Sequence, residues 1–247
     1  MRLSNAIHTS FTLSIRGIDT YQLPPPAGRY SKVKPKFSAL YKGVSGGEMK
    51  QTKDERIQRI QDALMRLARS HNINNISIYD IASEAHMSSS TIYSYYPNVE
   101  SLMYVMMTKV FDDFIEVTRT CLDDKCIEHW KDINRHIEYS LMEYCDNNPL
   151  AKKLLYSQHP FVSIKEASKD IDQQLGVEIE KQYARFFKLP ELPTGINIFT
   201  IALEAGDSLY FSQDEEGKPV PKHIIEESIK LTERYLSYYL PEYLPRK

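Results

Sequence analysis

The stretch Ile78–Tyr96, reading IYDIASEAHMSSSTIYSYY, constrains the fold of this chain more than any other. It fits two short helices joined by a tight turn. Ser77 is placed to cap the first helix, and Asp80, three residues on, completes a capping box. Ile78, Ile81, Ala82 and Ala85 then share one face at helical spacing. Ser88 is placed to cap the second helix, with Ile92, Tyr95 and Tyr96 turned back toward the first. That leaves Ser89, Ser90, Thr91 and Ser94 facing outward. A helix that shows small hydroxyls at its exposed N-terminal end suits a DNA major groove. Small side chains let the backbone approach, and hydroxyls bond to phosphates and base edges. Taken alone, the stretch fits a buried helical hairpin about as well.

The wider context favours the first reading. Ile81-Ala82-x-x-Ala85-x-Met87-Ser88-x-x-Thr91-Ile92-Tyr93-x-Tyr95-Tyr96, followed by Asn98, Glu100 and Leu102, resembles the DNA-binding signature of TetR-family transcriptional regulators. The likeness runs from about Arg56 to Leu102. Beyond it the chain is similar to that family only in length and helical character. The resemblance implies an all-α fold, with a three-helix helix-turn-helix domain over residues 49–97 and a helical effector-binding and dimerisation domain over 98–247. It also implies a homodimeric repressor released from a near-palindromic operator by a small effector. Ser89, Ser90, Thr91 and Ser94 are then expected in the groove beside the capping Ser88, with Tyr93, Tyr95 and Ser77 on phosphates. Three positions depart from the family pattern. His86 stands for the usual turn glycine, Ser90 for a common recognition-helix glycine, and Val99 for a lysine that usually meets a phosphate. Histidine tolerates a left-handed backbone better than most residues, so the turn survives. The Val99 departure removes one phosphate contact.

Composition and charge set further bounds. Aromatics are plentiful, with 17 tyrosines and 9 phenylalanines, and the 9 glycines are few for 247 residues, as suits a packed helical protein. No apolar run approaches the roughly 18–20 residues that span a bilayer. The apolar run near Phe11–Ile15 is too short and broken for a signal peptide. A cytoplasmic protein without a membrane partner is expected. Cys121, Cys126 and Cys145 are odd in number and lack metal-site spacing, which fits reduced thiols. The first fifty residues hold eight Lys and Arg against two acids, although the whole chain sums to −2. The helix-turn-helix region is not basic, so a DNA-binding face there depends on placement rather than bulk charge.

Residues 1–48 carry Pro24-Pro25-Pro26, Gly28, Pro35 and Gly46-Gly47 and no sustained period. They read as a disordered basic extension, which can add non-specific phosphate contacts. An alternative is that translation starts at Met49. Gly46-Gly47-Glu48 would be encoded by a purine-rich stretch resembling a ribosome-binding site.

Periodicity predicts further helices over about 53–71, 99–122, 127–146, 150–157, 162–188, 194–213 and 221–240. The helix from Val99 starts at the DNA and enters the second half, so it is a lever between two sites. Ile198, Ala202, Ala205 and Leu209 form one stripe, and Ile225, Ser228, Thr232, Tyr235 and Tyr239 a second. Both suit a four-helix dimer contact, or packing on the chain's own core. A dimer places two recognition helices about 34 Å apart. His129, Trp130, Tyr139, Met142, Tyr183, Phe187 and Phe199 are candidate walls of an apolar or aromatic effector pocket, or plain core. No glycine-rich phosphate loop, His-Glu-x-x-His or Gly-x-Ser-x-Gly occurs, and Asp112-Asp113 and Asp123-Asp124 do not face one another on a helix. No catalytic site, cofactor or metal is expected. The expected partners are double-stranded DNA, a second copy of the chain and a small-molecule effector. The rival readings are a DNA-bound scaffold answering to a protein partner, marked by a sealed core, and a helical enzyme.

Overall fold

Side-chain caps decide where the helices begin. Thr52 opens α1 (Lys53–Leu67): its hydroxyl accepts from Glu55 N at 3.2 Å, and Glu55 Oε2 accepts from Thr52 N at 2.9 Å. The same reciprocal pairing joins Ser77 to Asp80 before α2 (Ile78–Ala85), Asn98 to Ser101 before α4 (Val99–Thr120) and His129 to Asp132 before α5 (Trp130–Asn147). Such a cap contributes about 1 kcal/mol. Ser88 caps α3 (Ser89–Tyr95), which follows α2 across a turn at His86. The chain continues through α6 (Pro149–Tyr156), α7 (Val162–Phe186), α8 (Ile198–Asp207) and α9 (Lys222–Leu236). This computed structural model describes residues 52–156, 162–211 and 218–247, and among them the one β-type pairing is an isolated bridge between Phe187 and Arg246. The expectations for residues 1–48 and for a start at Met49 lie outside the described residues. No described helix is long and apolar enough to cross a membrane.

Several ends differ from the periodicity. α5 starts later than expected because His129 is its cap: Nδ1 accepts from Lys131 N at 3.1 Å. α8 starts at Ile198 because Asn197 Oδ1 accepts from Phe199 N and Thr200 N, and it ends at Asp207 rather than near 213. Apolar spacing continues through a frayed turn, so it overstates helix length.

α1, α2 and α3 close around Ile60, Leu64, Ile81 and Ile92, all fully buried. α4 inserts Leu102, Met103 and Met106 into this core, then carries Val110, Phe111 and Phe114 into the second half. There it packs against α5 and α7, and α8 lies between α7 and α9. α7 and α8 run antiparallel, since Gly176 meets Thr200 while Glu180 Oε2 accepts from Asn197 Nδ2 at 2.6 Å. Glu138 of α5 is buried, which raises its pKa, and it accepts hydrogen bonds from the hydroxyls of Ser228 and Tyr210.

The two stripes pack largely on the chain's own core, one of the two coverings their spacing allowed. Ile198, Ala202, Ile225, Ser228 and Thr232 are buried in the chain's own core. The reason is a close crossing of α8 and α9. A Cβ at Gly206 would lie 2.6 Å from Ser228 Oγ and 3.0 Å from Thr232 Cγ2, so the two stripes face one another. Ala205, Leu209, Tyr235 and Tyr239 are half-buried at the edges of this contact.

Candidate nucleic-acid interface

The turn between α2 and α3 is built around His86, whose φ of 52° and ψ of 48° place it in the left-handed region. His86 N donates to Ser83 O, and Met87 N to Ala82 O at 2.9 Å, which closes the C-terminal end of α2. α3 then leaves at a sharp angle. Ile92 is its fully buried residue, and Tyr96 at its end is almost fully buried. Ser90, Tyr93 and Ser94 stand on the opposite, solvent-facing side, three and four residues apart. Tyr93 is 46% exposed. Ser89 and Thr91 are half-exposed on its flanks, and Tyr95 is half-buried against the core.

The hydroxyls at the tip are organised among themselves. Ser88 Oγ accepts from Thr91 N at 3.2 Å and lies 2.9 Å from Ser90 Oγ and 2.8 Å from Thr91 Oγ1. Ser94 Oγ donates to Thr91 O at 2.7 Å. Ser77 Oγ donates to Asp80 Oδ2 at 2.7 Å. This bond and the bond from Ser77 N hold the Asp80 carboxyl below the usual carboxylate range. Ser77 and Ser88 are therefore caps first, and Ser90, Tyr93 and Ser94 are the most open part of the face.

A buried polar link holds α3 in place. Gln61 of α1, 2% exposed, donates from Nε2 to Tyr96 Oη at 3.0 Å and accepts from Lys109 Nζ of α4. One side chain thus joins α1, the end of α3 and α4. Arg59 donates to Ala85 O at 2.6 Å and clamps α1 to α2. Lys153 of α6 reaches back to His71 O at 2.8 Å, tying the second half to the turn after α1. Gln61, Lys109 and Lys153 carried no local signal, because their partners are 35 to 82 residues away. Tyr79 was also missed. It is 67% exposed in the first turn of α2, in the same helix pair as the α3 face, and an exposed aromatic in a helix otherwise turned inward was the available sign.

The candidate effector residues divide. Trp130, Tyr183 and Phe199 form one cluster, with ring centroids 6.4 Å apart for Trp130–Tyr183 and 4.7 Å for Tyr183–Phe199. Phe187 is buried one turn beyond Tyr183, and His129 lies against Trp130. Tyr139 instead donates to Glu226 of α9, and Met142 is buried further along α5. The enclosed space near the cluster is about 20 Å³, lined among others by Asn134, Ile179, Phe199, Thr232 and Leu236. That holds one water.

Among the described residues, a short capped helix pair, a long shared α4 and a following helical bundle define a class of helix-turn-helix protein. The particular architecture is the TetR-family fold, in agreement with the signature at Ile81–Leu102. A TetR-family transcriptional regulator of Streptomyces coelicolor has a similar structure, with a TM-score of 0.57 at 16% identity over 76% of this chain and 81% of that one. FadR of Thermus thermophilus, a TetR-family repressor in complex with lauroyl-CoA, gives 0.53 at 16% identity over 73% and 94%. In sequence, an uncharacterised helix-turn-helix-type transcriptional regulator of Haemophilus influenzae is 26% identical over 125 residues, or 50% of this chain. The match spans 65% of that relative, just under two thirds. No protein-family model matches the chain.

Proposed function

We propose that this chain is a DNA-binding transcriptional regulator, acting as a homodimer whose α3 helices enter adjacent major grooves of a near-palindromic operator. The observation that carries the reading is the open Ser90–Tyr93–Ser94 face on a helix locked from behind by Ile92 and the Gln61–Tyr96 bond. Thr91, Ser89 and Ser90 reach base edges, while Tyr93, Tyr95 and Ser77 contact phosphates. Ser77 does so by turning its hydroxyl proton from Asp80 Oδ2 to the phosphate. Tyr93→Phe is expected to weaken binding to operator and random duplex alike, and substitutions of Thr91 to change sequence preference. Fluorescence anisotropy on both duplexes checks this. If Tyr93→Phe leaves both affinities unchanged, its phosphate role is wrong.

The dimer contact belongs on the outer face of α8 and α9. Leu231 is exposed on α9, and Tyr238 is exposed in the turn just past its end. Leu231, Tyr238 and Phe211, the last following α8, are 41%, 78% and 53% exposed. Leu231→Arg is expected to convert the dimer to monomer in light scattering. A dimer that persists unchanged would move the interface elsewhere.

Repression relieved by a small apolar or aromatic effector is the leading mode of control, and the lauroyl-CoA complex of FadR supports it. The effector biases α4 between two positions, and the Lys109–Gln61 and Lys153–His71 bonds pass its movement to α1 and α3. One observation favours the alternative of a protein partner. The cavity beside the aromatic cluster has space for one water, while the wider space of about 570 Å³ between α4 and α7 is an open surface cleft.

A further inference from the structure

We propose that the end of the bundle farthest along α7 is a binding site for a small, flat, uncharged aromatic molecule carrying one hydrogen-bonding oxygen. The Tyr183 hydroxyl anchors it, and the segment after α9 is its gate. The inference deepens the small-molecule reading above and rests on it.

Four observations meet at this place. Tyr183 is fully buried, and its hydroxyl has no hydrogen-bond partner among the described residues. A buried hydroxyl without a partner is rare and costly, and phenylalanine would fill the same space without that cost. In the same cluster Trp130 Nε1 is satisfied, donating to Pro241 O at 3.0 Å. Among the rings of the cluster the unpartnered polar atom is thus the Tyr183 hydroxyl; Gln182 Oε1 and Thr200 Oγ1, beside it in the chain or in the next helix, are buried without a partner too. Second, its surroundings are aromatic faces and edges, Trp130 and Phe199, which a flat ring can replace or join. Third, packing beside the cluster is already incomplete. The small cavity is lined by Phe199, by Ile179 one turn before Tyr183, and by Asn134 one turn after Trp130.

Fourth, the cluster is closed by a segment held through polar bonds. His129 Nε2 donates to Glu242 O, and Lys131 Nζ meets Glu242 Oε1 at 2.8 Å. Lys188 N donates to Pro245 O at 2.8 Å, and Lys247 N to Phe186 O at 3.0 Å. Of residues 241–247, Leu244 alone is buried, and Tyr243 is 81% exposed. Lifting the segment uncovers one leucine and transfers its backbone bonds to water, a small change compared with parting two helices. The ligand is uncharged because an ion would have to shed its water in this cluster. Glu233, whose charge adds to the effect of burial in raising the Tyr183 pKa, is already paired with Arg135 at 3.0 Å.

The test uses the full chain with 4-methylphenol and with toluene, which has the same shape without the oxygen. Affinities come from ligand-observed NMR. 4-Methylphenol is expected to bind about tenfold more tightly than toluene, roughly the value of satisfying one buried hydroxyl. Tyr183→Phe is expected to erase that preference and leave toluene binding in place. Deleting residues 241–247 is expected to tighten both ligands at least about tenfold, because an open form of a tenth or less becomes the resting form. It is also expected to open Trp130, the one tryptophan of the chain, to acrylamide quenching. If the shortened chain does not fold, Glu242→Ala with Tyr243→Ala loosens the same segment, and the same two changes are expected in smaller measure. Equal affinity for the two ligands, or a preference that survives Tyr183→Phe, overturns the anchor. Unchanged quenching overturns the gate. DNA binding is measured separately. A chain that binds 4-methylphenol but no duplex refutes the regulator reading alone, and one that binds duplex but no 4-methylphenol refutes this site alone.

Discussion

Gly176→Ala is expected to destabilise the protein by about 3 kcal/mol or more, the upper end for overpacking a tight core. At an open helical position the same change stabilises by roughly 0.5–1 kcal/mol, because alanine loses less backbone entropy than glycine. The sign of the effect therefore reports on the crossing. At Gly176 a Cβ would lie 2.0 Å from Thr200 Oγ1 and 2.7 Å from the Thr200 Cα and N. A flexible side-chain tip can move aside, but backbone cannot, so adding Thr200→Ala is not expected to rescue the variant. α7 must instead shift away from α8, which disturbs Phe199 against Tyr183 and the Asn197–Glu180 bond at once. Urea denaturation of both variants checks this. A neutral or stabilising Gly176→Ala would show that the helices do not approach so closely.

Ser90→Glu is expected to reduce duplex affinity at least about 100-fold while leaving folding intact. Ser90 lies in the first turn of α3, where a carboxylate is favoured by the unpaired amides and the helix dipole, so the folded state gains rather than loses. The same carboxylate stands on the open face, where it meets phosphates and groove-edge acceptors. Like charge brought together at an interface costs several kcal/mol, and a loss of about 2.7 kcal/mol is a factor of 100. Anisotropy at low salt, beside a thermal melt of the free protein, separates the two effects. Retained affinity with an unchanged melt would show that the Ser90 side of α3 does not face DNA.

The helix pair was legible in the sequence because its signals are local. Ser77, Asp80, Ser88 and Asn98 act on amides within three residues, and His86 occupies a left-handed turn that its position already demanded. The inward set Ile78, Ile81, Ala82, Ala85 and Ile92 follows from helical spacing once those ends are known. The second half was legible as helices and as an aromatic cluster, but not in the direction its faces take. The stripe Ile198–Ala202 with Ile225–Ser228–Thr232 has the period read from the sequence, and of the two coverings that period allowed these residues take the chain's own core. Spacing shows that a face is apolar, and it carries no information about which surface covers it. Gly206 opposite Ser228 brings α8 onto α9 and uses up that face inside one chain, leaving Leu231 and Tyr238 outside.

What the amino-acid order determined by itself is the set of helices, most of their caps, and a short helix with a hydroxyl face. Each depends on interactions within about one helical turn, which any local segment makes for itself. Tertiary structure alone decided the rest. It set the Gln61 link between α1, α3 and α4, the reach of Lys153 to His71 and the unpartnered hydroxyl of Tyr183. It also placed the closing segment over Trp130. The physical reason is separation along the chain. These contacts join residues from 35 to 111 positions apart, and whether such groups meet depends on how whole helices pack, not on the residues beside them.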